Sequence, residues 1–270
     1  MSNDGTEDRF GLDREFIARL GRTVFRFLHD FYWRVELGGL ENIPCTGPVM
    51  LTGLHRGIVP FDAMMILHGM ARSGNRIPRF LIHPALLRSQ RIGGVVTRLG
   101  GVVANREHAD WLLERGEVLG MFPEGVQGAF CEYRHAYQLH SFGRHDYVAL
   151  ALKHRAPIVP FVTVGSAEVF PVLKNVRWKR WKALTGWPSL PLTPTFPFLP
   201  PVPLPSKWHT LVLEPMHFEQ DYPPEAASDR KLVKQLSQQV QDVLLSTMLE
   251  IRQRRPGIFW GNALPISDPG

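Results

Sequence analysis

The chain has 270 residues, of which 44% are apolar and 21% are charged, so it fits one large globular domain. It holds only two cysteines, Cys45 and Cys131, and no CxxC pair. A disulfide framework and a cysteine-based zinc site are therefore unsupported, and a reducing compartment is favoured. The net charge of +6 and the isoelectric point near 9.6 favour anionic partners. We expect no nucleic-acid partner, because zinc-finger spacing, RNP-like motifs and a long basic tail are missing from the sequence.

The first ten residues are polar and acidic, and they lack the basic region and apolar run of a secretory signal. No uncharged apolar run reaches the ~18 residues that a membrane-spanning helix needs. We therefore expect a cytoplasmic protein that is soluble or peripherally attached to a membrane surface.

A helix is predicted between about residues 12 and 33, because apolar residues recur there at three- and four-residue steps. Arginines surround the apolar face, which is typical of a helix lying on a membrane surface. A helix packed on the domain, with arginines that extend their charged ends to water, gives the same pattern. Both interpretations stay open.

Short apolar runs then alternate with helical patterns. Strands are predicted at residues 49–52, 79–82, 101–103, 118–122, 158–164 and 210–213. Helices are predicted at residues 61–71, 106–115 and 146–154. This alternation predicts an α/β layered domain whose central sheet is largely parallel or mixed and is flanked by helices.

Residues 174–206 differ in composition from the rest of the chain. Fourteen residues from Lys174 hold five cations and three tryptophans, a composition typical of a membrane interface. An apolar, proline-rich run follows, and proline fits neither a helix interior nor a central strand. We expect an extended insertion that faces a membrane or an acyl chain, or that simply covers the sheet.

The predicted domain organisation has three parts. Residues 1–34 form a tail and an amphipathic helix, residues 35–255 form a single domain that contains the insertion, and residues 256–270 form a C-terminal tail. The last helix of the domain is predicted from Ser228, as its N-terminal cap, to Arg254.

His55 follows an apolar run that is predicted to be a strand, and Asp62 lies seven residues later. Loops at the ends of strands in open α/β sheets are the usual place for reacting groups. An imidazole can take a proton from a hydroxyl near neutral pH. A carboxylate bound to its other nitrogen would fix the tautomer and stabilise the imidazolium. If the loop folds back, Asp62 can supply that carboxylate.

The sequence Phe-Pro-Glu-Gly predicts a sharp turn, because Pro123 fixes φ and Gly125 tolerates positive φ. Such a turn would present Glu124 to the hydroxyl of an acceptor. No G-x-S-x-G nucleophile motif is present in the sequence.

Five motifs follow one another in order: LENIPCTGP, HRGIVPFD, GGVVANRE, FPEG and PIVPF. The ordered set covers roughly residues 36–165 and resembles the glycerolipid (lysophospholipid, PlsC-like) acyltransferase superfamily. The resemblance implies a glycerol-3-phosphate acyltransferase-like fold and transfer of an acyl group from acyl-CoA or acyl carrier protein to a lipid hydroxyl. It implies no metal or redox cofactor, and direct attack of the hydroxyl on the thioester.

The resemblance also implies roles for individual residues. His55 corresponds to the general base and Asp62 to its partner. The residues that it places at the acceptor are Arg106, Pro123, Glu124, Gly125 and Gln127, and those that it places in the acyl-donor strand are Pro157 and Ile158.

Three departures from the common family pattern bear on the acceptor. Six residues separate His55 from Asp62 instead of four, which resembles the branch of monoacylglycerol and diacylglycerol acyltransferases. Leu54 stands where the family commonly has Asn. Gln127 stands where members with a phosphorylated acceptor often have Arg, and a neutral amide offers no charge-assisted contact to phosphate. We therefore expect a neutral alcohol, such as an acylglycerol or a long-chain alcohol.

A second group of basic residues comprises Arg134 and Arg144 together with His135, His140 and His145. The histidine spacing fits neither a helix face nor a zinc finger, so no metal site is predicted. The two arginines either hold the phosphates of the acyl donor or are solvated.

Three other functions remain compatible with the sequence. One is acyl transfer to a lysophospholipid or a glycerol phosphate. The others are a lipid-binding protein without catalysis and a thioester hydrolase that uses the same histidine and aspartate. Product analysis separates them, because a hydrolase releases free fatty acid without forming an acylated alcohol.

Overall fold

The computed structural model describes residues 8–138, 142–199 and 202–264. Its strands, in chain order, are β1 (Glu36–Gly38), β2 (Val49–Gly53), β3 (Arg79–Ile82), β4 (Val102–Val103), β5 (Val118–Met121), β6 (Ile158–Val164), β7 (Lys174–Val176), β8 (Leu190–Leu192) and β9 (His209–Val212). Within these ranges, seven strands form one sheet in the order β1-β9-β6-β2-β5-β3-β4. Strands β7 and β8 form a separate antiparallel pair.

The central part of the large sheet is parallel. Strand β2 pairs in parallel with β5 and β6, and β3 pairs in parallel with β5 and β4. Strand β9 runs antiparallel to β6, and β1 follows β9 in parallel. The predicted α/β class with a largely parallel or mixed sheet is therefore confirmed, and the predicted strands agree with the observed ones to within about two residues.

Helices cover both faces of the sheet. They are α1 (Arg14–Arg22), α2 (Val24–Arg26), α3 (Phe61–Arg72), α4 (Gln90–Arg98), α5 (Arg106–Glu114), α6 (Val126–Ala129), α7 (Asp146–Lys153), α8 (Lys179–Thr185), α9 (Phe218–Asp221) and α10 (Arg230–Arg254). Successive side chains of a strand point to opposite faces. Accordingly, Met50 of β2 packs in the core formed with α5, α7 and α10, whereas Leu51 packs against α3. Strand β2 is thus buried on both faces.

The predicted N-terminal helix is not continuous. Helix α1 ends at Arg22, and the next residue, Thr23, has a φ of −121° and a ψ of −98°, which leave the helical region. The Thr23 hydroxyl donates to the carbonyl of Arg19 at 2.9 Å, a local bond that competes with helix propagation. The chain then continues through α2 and a π-helical turn, Phe27–Tyr32. Ile17 and Phe25 are buried on the domain, whereas Phe27 is exposed.

Two further predictions are corrected. Helix α10 begins at Arg230, and its cap is Asp229, whose carboxylate accepts from the amides of Lys231 and Leu232 at 2.9 and 3.1 Å. Ser228 instead donates to the Glu225 carbonyl within the preceding turn. The insertion is also more regular than expected, because it contains α8 between β7 and β8. No helix in the described part of the chain is long and apolar enough to span a membrane.

His68, on α3, makes the stability of the fold depend on pH. Its side chain is buried between the rings of Phe25 and His29, and burial, with the nearby charges of His29 and Arg72, lowers its pKa from 6.5 to about 4. The neutral ring is therefore favoured in the folded protein, while the unfolded chain binds a proton below pH 6.5. The free energy of unfolding should fall as the pH falls from 6.5 towards 4.

We expect His68→Leu to reduce this loss of stability, because the variant has no imidazole to protonate on unfolding. Urea unfolding of the two proteins across this pH range measures the difference directly. Equal pH slopes for wild type and variant would contradict the assignment to His68.

Candidate active site

The His55 imidazole and the Asp62 carboxylate meet at the carboxyl edge of the parallel strands. Strand β2 ends at Gly53, and the following loop folds back so that Asp62 lies in the first turn of α3. His55 Nδ1 lies 2.8 Å from Asp62 Oδ2 and 3.1 Å from Oδ1. The six intervening residues therefore bring together the two side chains that the sequence predicted to be partners.

Backbone hydrogen bonds fix the orientation of the Asp62 carboxylate. The carboxylate is completely buried, and it accepts from the backbone amides of Arg56 at 3.3 Å and Ala63 at 3.0 Å. Its place at the start of a helix adds the favourable end of the helix dipole. Because an ionised carboxylate only accepts hydrogen bonds, the neutral imidazole carries its proton on Nδ1. Nε2 of His55 is then left with a lone pair that can accept a proton.

An apolar cavity of about 410 Å³ lies beside this pair, and His55 is part of its wall. Its lining comes mainly from α3, β3, the segment after β5 and α6. The polar side chains among the described lining residues are His55, His83 and Arg144. The ring of Phe122 stacks on His55 with 4.7 Å between the centroids. A cavity of this size and apolarity suits an aliphatic chain ending near the imidazole.

Glu124 does not face this cavity. Its side chain is completely buried and forms an ion pair with the guanidinium of Arg56, which is 2% exposed. Arg56 pairs with Oε2 of Glu124, whereas Oε1 has no hydrogen-bond partner among the described residues, so the contact of Glu124 with an acceptor stays a prediction. Arg56 also donates to the carbonyls of His55 at 3.0 Å and Ala136 at 2.7 Å. The ion pair thus fixes the backbone on which the His55 side chain is carried.

The other residues of the turn after β5 have different positions. Gly125 lines the cavity with a φ of +56° and a ψ of −141°, a conformation open essentially only to glycine. Pro123 is buried beneath the turn, and Gln127 is exposed on α6. Neither Pro123 nor Gln127 is among the described lining residues. Of the residues expected at the acceptor, Gly125 is the one that the structure places on the cavity wall.

Arg106, the remaining residue expected at the acceptor, begins α5 away from the cavity. Its side chain is 75% exposed and faces Asp110 at 3.9 Å. Arg106 is thus not among the described residues that line the cavity, and its contact with the acceptor stays a prediction.

The residues expected at the acyl donor separate into two groups. Pro157 and Ile158 lie at the amino end of the β6 strand, level with Met50, so they are at the opposite edge of the sheet from His55. Ile158 begins β6 and Pro157 directly precedes it, and their part in binding the donor stays a prediction. Arg144 does line the cavity, whereas Arg134 is 74% exposed and pairs with Glu132.

Of the histidines near these arginines, His140 lies outside the described residues. No group of three or more potential metal ligands occurs among the residues that the structure describes.

Two site residues were missed by the sequence analysis. Arg56 adjoins His55, but its partner Glu124 is distant in the sequence. His83 follows β3 at the same sheet edge as His55, and the rule that placed His55 there would have identified it. The Ala85 amide donates to His83 Nδ1 at 3.2 Å, and burial, helped by Arg144 and Arg88, lowers the pKa of its ring. His83 is thus a neutral polar group in the apolar wall.

Gly128 is a further position that the packing at this site restricts. A Cβ atom there would lie 2.9 Å from Glu124 Oε2 and from the His55 carbonyl oxygen. We expect Gly128→Ala to destabilise the protein by about 1–3 kcal/mol and to lower its activity, because the buried ion pair must shift. Gly94→Ala is the control, since nothing lies within 4 Å of that site. Equal urea midpoints for the two variants would show that the pair accommodates the methyl group.

Comparisons with known proteins identify the family of the chain. The family model described as Acyltransferase matches residues 34–164. An uncharacterised protein of Mycobacterium leprae is 35% identical over 97% of this chain and 72% of its own length. Phytyl ester synthase 2, chloroplastic, of Arabidopsis thaliana is 30% identical over 53% of this chain but only 23% of its own length.

The fold is similar to that of a solved structure, the 1-acyl-sn-glycerophosphate (LPA) acyltransferase PlsC of Thermotoga maritima. The TM-score is 0.57 at 19% identity, and the match covers 90% of this chain and 81% of that one. The matched family region contains β2, the His55–Asp62 pair and the turn after β5. The chain therefore belongs to the acyltransferase family and is an enzyme of that kind.

Proposed function

We propose that this acyltransferase moves a fatty acyl group from a thioester, acyl-CoA or acyl carrier protein, to the hydroxyl of a neutral lipid alcohol. His55 is the general base and Asp62 is its orienting partner. The observation that carries the proposal is the 2.8 Å contact of His55 Nδ1 with the buried Asp62 carboxylate, at the wall of an apolar cavity.

The proposed reaction is a direct transfer. The acceptor hydroxyl donates to Nε2 of His55, and the proton passes to the ring as the oxygen attacks the thioester carbonyl. Asp62 stabilises the resulting imidazolium, as a buried carboxylate does for a catalytic histidine. The carbon–sulfur bond then breaks, and the imidazolium returns the proton to the departing thiolate. The products are an ester and a free thiol, and His55 is again neutral.

A neutral acceptor is supported by the polarity of the cavity. Its wall is mainly apolar, and burial keeps His83 in its neutral form. A separate argument comes from the sequence pattern, because Gln127, which lies outside the described cavity lining, stands where family members with a phosphorylated acceptor often have Arg. The phytyl ester synthases, as their name says, make esters of a long-chain alcohol, which is the kind of acceptor proposed here.

The proposal also covers how the acyl donor is bound and where the protein acts. Arg144 lies on the cavity wall and is the cation best placed for donor phosphates, whereas Arg134 offers a more distant one. The acyltransferase domain spans residues 35–255, and the protein acts in the cytoplasm, peripherally attached to a membrane where its lipid acceptor is found.

The test is transfer from radiolabelled palmitoyl-CoA to a panel of acceptors in detergent. The panel holds monoacylglycerol, diacylglycerol, a fatty alcohol, glycerol 3-phosphate and lysophosphatidate. We expect a labelled ester with one of the first three. Equal or faster turnover of a phosphorylated acceptor would contradict the neutral-alcohol proposal. Free fatty acid alone would favour a hydrolase, and no product with any acceptor would favour a binding protein.

A further inference from the structure

The insertion carries an uncompensated positive charge. Between Glu168 and Glu214 the sequence has no acidic residue, although the whole chain has 25. Residues 174–182 alone carry five cations: Lys174, Arg177, Lys179, Arg180 and Lys182. In the described part of the chain, none of these five forms a salt bridge. Their charge is therefore available to an external partner.

The same segment exposes large apolar side chains. We call residues 173–184 the basic face. All five of its cations are exposed. Among and beside them are exposed apolar side chains: Leu184 is 80% exposed, Leu173 59% and Trp178 50%. Helix α8, at its centre, buries no residue. Cations interspersed with tryptophan and leucine match a membrane interface, where charges meet anionic headgroups and apolar side chains enter the acyl boundary.

The basic face is joined to the wall of the cavity. Helix α8 ends at Gly186, where a Cβ atom would lie 3.0 Å from the guanidinium of Arg88, so the helix end rests on the turn after β3. The next residue, Trp187, lines the cavity and stacks on His83 with 5.1 Å between the ring centroids. A surface that binds α8 is thereby brought close to the cavity.

We propose that the basic face binds an anionic lipid bilayer and holds this wall of the cavity against it, so that the acceptor enters from the membrane. The claim that the face binds a bilayer is based on its charge and exposure. The claim that the acceptor enters from the membrane rests on the proposed function. A nucleic acid fits less well, because it would use the cations but leave Leu184 and Leu173 exposed to water.

The experiment measures co-sedimentation with vesicles of phosphatidylcholine alone and of equal parts phosphatidylcholine and phosphatidylglycerol. We expect wild type to prefer the anionic vesicles and to be released by salt. The triple variant Lys179→Glu/Arg180→Glu/Lys182→Glu should bind them roughly 100-fold more weakly, since each basic residue near an anionic surface contributes about a fivefold effect. Leu184→Ala, which keeps every charge, should bind several-fold more weakly.

The matched control is Arg230→Glu/Lys231→Glu/Lys234→Glu on α10, which changes the net charge by the same amount at exposed positions. We expect it to bind the anionic vesicles nearly as wild type does. Equal loss in the two triple variants would overturn the proposal, because net charge would then explain the binding. Binding of a short DNA duplex is measured for the same proteins. If Leu184→Ala binds vesicles as wild type does, and the triple variant of the basic face no longer binds the duplex, the face would be assigned to nucleic acid instead.

The acyl-transfer assay in detergent tests the proposed function separately from the vesicle experiment. If wild type forms no acyl product in detergent, acyl transfer fails whatever the vesicles show. If wild type is active in detergent but does not distinguish the two kinds of vesicle, the docking proposal fails and the proposed function stands.

Discussion

Replacing His55 with alanine should lower the rate of acyl transfer by about 10²- to 10⁴-fold while leaving the fold intact, because a positioned general base contributes about that much. The side chain is held by Asp62 and by the Phe122 ring, so its removal leaves the core layers of the sheet in place. We expect the change in kcat, since the ring acts on the reacting hydroxyl. Steady-state kinetics with the best acceptor of the panel measures it.

Two further variants test whether the loss of activity is specific to the His55–Asp62 pair. Asp62→Asn should also be strongly impaired, since the amide neither carries the charge that stabilises an imidazolium nor fixes the tautomer. His217→Ala is the control, because this histidine is 45% exposed and lies outside the cavity wall. If His55→Ala loses no more activity than His217→Ala, the assignment of the base is wrong.

Replacing Arg56 with alanine should destabilise the protein by about 3–5 kcal/mol, because it leaves the Glu124 carboxylate buried without its charged partner. The Ala136 carbonyl loses its donor in the same variant, so the contact between the His55 loop and residues 133–138 is weakened. Urea unfolding at pH 7 measures the change.

The comparison that isolates this pair is the double variant Arg56→Met/Glu124→Leu. Since apolar groups of similar volume often replace buried ion pairs at little cost, we expect it to recover most of the lost stability. The exposed pair of Arg254 and Glu250 is the matched control, and breaking it should cost no more than about 1 kcal/mol. A loss of similar size in Arg254→Ala would show that burial of the Arg56 pair has no special effect.

The sequence predicted those parts of the fold that depend on local pattern. The apolar run before His55 and the return to a helix at Asp62 were sufficient to place both at one sheet edge. The break at Thr23 was missed, because periodicity continues through it and the deciding bond is made by one hydroxyl. The capping residue of α10 was misassigned by a single position, since Ser228 and Asp229 have similar capping preferences.

The site was predicted less completely than the fold, and the reason is distance along the chain. Arg56 and Glu124 are 68 residues apart, so their pairing emerges only from the sheet order that places β5 beside β2. The sequence therefore contained no sign that Oε2 of Glu124 pairs with a protein side chain. Pro157 and Ile158 were expected in the acyl-donor strand from the resemblance, and strand direction, which places them at the edge opposite His55, could not be read from their motif alone.

The position of β2 has a consequence for how the molecule moves. This strand lies between β5 and β6 with every residue buried, so its amides should exchange with solvent only when the whole domain unfolds. Helix α8, beside the cavity, buries no residue and should open at far lower free energy. His55 thus follows a strand that opens only on global unfolding, whereas α8 opens more readily. We therefore expect motion of α8 and of the adjoining Trp187 in the cavity wall to leave the geometry of the His55 imidazole in place.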